Sequence, residues 1–168
     1  MTISMYQASV PAFIRALNNL AAILEKGAAH AQARKIDEAV LLSSRLFPDM
    51  FPLVRQVQIA TDTGRSGAGR LAAADFPAYE DREATFQDLL LRIRNSVAYL
   101  ESLQPAQIDG GEDKTISWQS RSSTKSMQAL PYLLSHLLPN IHFHVTTAYA
   151  ILRHNGVELG KKDYLGPS

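Results

Sequence analysis

Four stretches of this chain carry apolar residues at alternating steps of three and four, and that spacing limits the fold more than any other feature. The first runs through Tyr6, Val10, Phe13, Leu17, Leu20 and Leu24, widened by Ile14, Ala21 and Ile23. A repeat near 3.6 residues gathers such side chains on one stripe of an α-helix, and the stripe needs a covering partner. Pro11 interrupts the pattern because it has no N–H to give to the turn before it. Either the helix starts near Ser9 with Pro11 in its first turn, or it starts near Ser4 and kinks. Tyr6, already in phase, favours the kink. Gly27 is expected to weaken the end of this helix, although Ala28 to Arg34 could carry it further.

Residues 35–48 read as a connection in which Asp37 caps a short turn over Glu38 to Leu42. Pro48 stops the chain and Asp49 suits the N-cap of a second helix over about residues 50–73, with Met50, Val54, Val57, Thr61, Gly64, Ala68 and Leu71 on its stripe. Gly64, Gly67 and Gly69 each cost about 1 kcal/mol against alanine in a helix interior. They predict either a frayed end or the close approach of a neighbouring helix or a second chain. Glu80 and Asp81 suit the start of a third helix carrying Phe86, Leu90, Ile93, Val97 and Leu100, with Leu89 and Leu103 beside them, ending before Pro105.

Residues 104–126 break the rhythm. Asp109-Gly110-Gly111 is a turn signal, and Thr115 to Gln119 alternates like a short strand. Arg121-Ser122-Ser123 turns it back, which predicts a small hairpin or ordered loop with Trp118 packed onto the body. A fourth helix covers about residues 128–154 through Leu130, Leu133, Leu134, Leu137, Ile141, Val145, Ala148 and Leu152, kinked or split at Pro139 and stopped by Asn155-Gly156. In the tail, Val157, Leu159, Tyr164 and Leu165 can pack back onto the body. The fold class is therefore all-α: one domain over residues 1–168, a four-helix bundle with a short hairpin or loop between helices three and four.

Composition supports this. At 46% hydrophobic, 168 residues bury a core without staples, and a formal net charge of +1 gives no reason to expect nucleic acid or an anionic membrane as partner. The absence of cysteine excludes disulfides, thiolate metal sites and a cysteine nucleophile. No signal peptide and no apolar stretch near the roughly 20 residues of a membrane span is visible, so the cytoplasm is the default compartment.

Candidate chemistry collects on the fourth helix. His136, Asn140 and His144 follow at i, i+4 and i+8 and share one face of an unbroken helix. Two imidazoles four apart would clamp a metal, but eight residues separate His136 from His144 by about 12 Å of helix rise. His142 and His144 point to different faces. On the second helix Gln56, beside the Val54–Val57 stripe, can face the bundle axis and bond His144 or Asn140. Gln58, Asp62 and Arg55 are its polar neighbours, and an ordinary solvated face is the competing reading. His30, His142 and His154 read as surface or helix-end residues. The hydroxyl-rich segment 120–126 with Arg121 and Lys125 reads as a solvated turn, with a small anion as the alternative. No G-x-S-x-G, phosphate-binding loop or H-E-x-x-H is present, so no catalytic residue is assigned.

The run FHVTTAYAILRHNGV from Phe143 to Val157 resembles a signature of a domain-of-unknown-function family within the DinB/YfiT-like superfamily of four-helix bundles. MYQASVP from Met5 to Pro11 and DMFPLVRQVQIA from Asp49 to Ala60 match as well, as do the segments Leu134 to Asn140 and Gly160 to Gly166. The resemblance implies a four-helix bundle, often a homodimer. Wider relatives hold a divalent metal with three histidines, one from helix two and an H-x-x-x-H pair from helix four. Those positions correspond here to Gln56, Asn140 and His144, and one of the three is histidine. The expectation is a metal-free small-molecule-binding or interaction protein with pocket residues Gln56, His136, Asn140 and His144. The alternative is a thiol-transferase-like enzyme holding zinc or nickel through His136 and/or His144.

Overall fold

The computed structural model describes residues 2–120 and 123–167. Four long helices form the body: α1 (Met5–Arg34), α3 (Leu53–Leu71), α4 (Phe86–Ser102) and α7 (Leu138–His154). Short helices α2 (Glu38–Ser43) and α5 (Pro105–Ile108) lie in the connections. An antiparallel hairpin, β1 (Thr115–Ser120) and β2 (Ser123–Gln128), precedes α7, so the fold is a helical bundle with a small sheet rather than purely α. The Arg121-Ser122 part of the expected turn lies outside the described residues. A helical turn α6 (Ala129–Pro131) and a π-helical turn (Tyr132–Leu137) lead into α7, and α8 (Lys161–Leu165) closes the chain. Among the described residues no helix is long and apolar enough to cross a membrane.

α1 begins where the phase of Tyr6 places it. Ser4 caps the helix in a reciprocal box with Gln7, and the helix runs through Pro11. Its stripe of Val10, Phe13, Leu17, Leu20 and Leu24 is fully buried. The helix continues past Gly27 through Ala28 to Arg34, and Gly27 lies at a close contact, where an added Cβ would stand 3.2 Å from Leu152 and Phe86. Asp37 caps α2 through the Ala39 N–H, as its position suggests. α3 departs from expectation at its start, because Pro52 rather than Asp49 is the capping position and Met50 stays in the preceding loop.

The glycines of α3 answer to packing within the chain. A Cβ at Gly67 would fall 2.6 Å from Leu137, and one at Gly69 would fall 2.5 Å from Phe76. The helix does not fray there, and both positions are filled by neighbours from within the chain. α4 also starts later than Glu80 and Asp81 suggest. Its cap is Thr85, in a reciprocal box with Asp88. Residues 74–84 form an irregular strap whose acidic side chains serve another purpose, described below.

α7 is split upstream of Pro139, at the π-turn. In α geometry the proline ring would meet the carbonyl four residues back, and an inserted π-turn is one way a helix absorbs that conflict. The i→i+5 ladder slips the phase by a residue. Leu133, Leu137 and Ile141 are buried, whereas Leu130 and Leu134, expected on the stripe, are 39% and 50% exposed. Tyr132 takes the vacated place and is 1% exposed. In the tail Val157 and Leu159 are buried and Leu165 remains exposed.

Candidate functional site

α3 is covered on two flanks, by α7 on one side and by α4 with the strap on the other. Toward α7, the Gln56 amide N–H donates to the Phe51 carbonyl at 3.0 Å, which fixes the orientation of the amide. Its Oε1 then faces His144 Nδ1 at 2.7 Å. A carboxamide oxygen only accepts, so Nδ1 must carry the proton and Nε2 must carry the lone pair. Burial, and then the charge of Arg55, push the His144 pKa down to about 4, so the ring is neutral near pH 7. His144 is 8% exposed and Gln56 1%. Among the described residues Nε2 makes no hydrogen bond, yet it is not one of the sealed, unpartnered buried atoms. An accepting nitrogen of fixed tautomer thus retains access to solvent. Phe143 stands edge-on to the imidazole, with centroids 5.2 Å apart, and also lines, with Leu46, Met50 and Thr147, a hollow of about 450 Å³ that neither His144 nor Gln56 lines.

Two turns further along α3, Asn140 Nδ2 donates to Thr63 Oγ1 at 3.2 Å. The seam between α3 and α7 therefore holds two neutral cross-links, Gln56–His144 and Thr63–Asn140. His136 joins neither. It stacks on Tyr132 at 5.3 Å and meets Trp118 at 4.9 Å, and those two rings also touch each other at 4.8 Å, so the three form a triangular cluster. His142 is exposed and bonds the Tyr164 hydroxyl at 3.0 Å, tying α7 to α8. His30 lies beside Gly156, and His154 occupies the last turn of α7.

The other flank carries a charged cluster of which sequence reasoning singled out only Arg55, Gln58 and Asp62. Arg92 on α4 is 4% exposed. It bonds Asp62 at 2.8 Å, Glu83 at 2.8 Å and Thr61 Oγ1 at 2.9 Å, with Asp81 at 3.1 Å. Burial opposes its charge, but the Glu83 hydrogen bond and the charges of Asp62, Glu83 and Asp81 outweigh it and raise the pKa. Arg55 pairs with Asp81, and Gln58 bonds Glu83 at 2.7 Å. Arg65 pairs with Asp62 and lies under Tyr79, 4.1 Å from the ring centroid. Among the described residues its Nε and Nη1 have no hydrogen-bond partner, and the guanidinium lies against the Tyr79 face. The signal for this cluster was present: Arg92 sits in phase with Leu89, Ile93 and Ser96, and a charge on a core stripe demands buried partners.

The three-histidine metal arrangement of wider relatives is not matched by these side chains. Zinc and nickel favour imidazole, thiolate or carboxylate donors. The corresponding positions supply one imidazole and two carboxamides, and both carboxamides are engaged within the chain. Among the described residues no three His, Cys, Asp or Glu side chains group as metal ligands.

Comparison with known proteins agrees with this architecture. Residues 5–165 match the family model described as "Domain of unknown function (DUF1993)". The crystal structure of a DinB family member from Shewanella denitrificans superposes with a TM-score of 0.89 at 44% identity, covering 98% of this chain and 93% of that one. No curated protein matches. With the family model spanning nearly the whole chain and a DinB family member so similar in sequence and fold, this chain belongs to the DUF1993 family of DinB-like helical domains.

Proposed function

We propose that this chain is a small-molecule-binding protein whose polar pocket lies between α3 and α7, with His144 Nε2 as the acceptor that a ligand's O–H or N–H would meet. The supporting observation is the buried Gln56–His144 bond, which fixes one tautomer and leaves a nitrogen unused, while burial and the Arg55 charge keep the ring neutral. A ligand with one donor and an apolar body would suit that nitrogen and the Phe143-lined hollow. Gln56 positions the imidazole, and Asn140 holds the seam through Thr63. The protein acts in the cytoplasm as a homodimer in this reading. Because the glycines of α3 are filled from within the chain, the dimer face falls to the exposed Leu46, Phe47, Phe51 and Phe143.

The test is a fragment screen of phenols, alcohols and primary amides followed by NMR. Shifts confined to the His144 ring and the Gln56 side-chain amide, absent in His144→Phe, are the expected result. Shifts that survive this substitution, or none from any donor fragment, would contradict the pocket. Untagged protein should contain well under one zinc or nickel per chain. Stoichiometric metal lost in His144→Ala would favour the metal-dependent, thiol-transferase-like alternative instead. A monomer by light scattering at micromolar concentration would overturn the dimer.

A further inference from the structure

A second polar centre lies at the far end of the seam, roughly 20 Å along α3 from Gln56 at 1.5 Å rise per residue. Its middle is His136, half-buried in the π-turn and in a triangular cluster with the rings of Trp118 and Tyr132. π-turns inside helices occur often at functional sites. Lys125 stands directly opposite Trp118 across the hairpin, on the same face of the ribbon. Arg70 projects from the last turn of α3, one turn beyond Gly67, against which Leu137 of the π-turn packs. Its guanidinium is held by Ser66 Oγ at 2.8 Å and lies 5.1 Å from the Phe76 ring centroid. Both cations act on His136 and, after burial, help to keep the ring from protonating.

These two cations differ from the arginines on the other flank of α3. Arg55, Arg65 and Arg92 each pair with carboxylates. Among the described residues, no carboxylate forms an ion pair with Arg70 or Lys125. Two like charges gathered beside a half-buried imidazole repel one another unless an anion joins them.

We propose that Arg70, Lys125 and His136 form a binding site for a phosphate-class dianion, either free phosphate or a phosphate monoester. Arg70 offers a rigid fork for two oxygens, Lys125 a mobile point charge, and neutral His136 one N–H. Trp118 walls the site. This site stands apart from the pocket at His144 and does not depend on it.

Trp118 is the only tryptophan, so its emission reports on this site alone. The intact protein at pH 8 and constant ionic strength is titrated with inorganic phosphate, methyl phosphate and acetate, with calorimetry as a second readout. A saturable response to phosphate, methyl phosphate or both is expected, with acetate roughly tenfold weaker or more because it carries one charge. Arg70→Gln and Lys125→Gln should each weaken phosphate binding by about tenfold, the scale of one lost charge-assisted contact. Lys125 is exposed on β2, so its variant carries the test if Arg70→Gln fails to fold. Absence of saturable emission and heat at millimolar phosphate, undiminished affinity in the folded charge variants, or acetate binding as tightly as phosphate would each overturn the proposal.

Discussion

The two flanks of α3 bury polar side chains in opposite ways. Toward α4 and the strap, Asp62, Asp81, Glu83, Arg55, Arg65 and Arg92 form a network in which each ion has an opposite charge at hand. Toward α7, the cross-links are neutral, and the better buried one leaves a nitrogen of His144 unused. Ionic groups taken out of water need opposite charges close by. Here each has one, although Nε and Nη1 of Arg65 face the Tyr79 ring without a hydrogen bond among the described residues. Neutral groups cost less to bury and can keep one valence open. The charged flank is therefore the structural one: it pins the strap over α3 and α4. In the proposed function, the neutral flank is where a ligand has something to meet.

The largest effect expected from this contrast lies on the charged side. Arg92→Ala removes the one cation that Asp62, Asp81 and Glu83 share and should lower the free energy of unfolding by about 3–5 kcal/mol, the usual result of breaking a buried pair. Urea denaturation measures it. A loss under about 1 kcal/mol would place the cluster with ordinary surface pairs and erase the contrast.

The neutral side is tested by pH. The folded His144 pKa of about 4 lies below its unfolded value of 6.5, so the unfolded chain binds more protons in that window. Stability from this group is complete above pH 6.5 and declines as pH falls toward 4. The total is roughly 3 kcal/mol at about 1.4 kcal/mol per pKa unit. Carboxylates titrate in the same range, so the quantity to measure is the difference in slope between wild type and His144→Phe. Equal slopes would mean that the ring is not held neutral.

Gly67→Ala sharpens the comparison by pressing on the seam itself. Leu137 must shift to admit the methyl group, at about 1–3 kcal/mol. The smallest effect belongs to Leu134→Ala. The π-turn turns this side chain outward, and the change should stay within about 0.5 kcal/mol in a thermal melt. A core-sized loss there would restore the regular helix phase and contradict the split.

Much of this architecture was legible in the residues. The stripe of α1, its start at Ser4, the Asp37 cap and the hairpin with Trp118 packed inward all follow from spacing and local chemistry. What was not legible depended on distant partners. Glu80 and Asp81 read as a helix start because nothing local shows that Asp81 reaches Arg55 and Arg92. Leu134 read as core because period alone cannot foresee a π-turn ahead of Pro139. At the candidate site, Gln56 and His144 were both visible as polar residues on apolar stripes, and their pairing is a tertiary fact. His136 looked like a member of the same set until the π-turn and Trp118 drew it into a separate stack.

The central claim is that His144 is neutral, with its proton on Nδ1 and an accepting Nε2. Imidazole ¹⁵N NMR of the intact protein at pH 6 reads this directly. The geometry predicts a protonated Nδ1 and an unprotonated Nε2, a pattern lost in Gln56→Leu. An Nε2–H tautomer, or a doubly protonated ring at that pH, would contradict it.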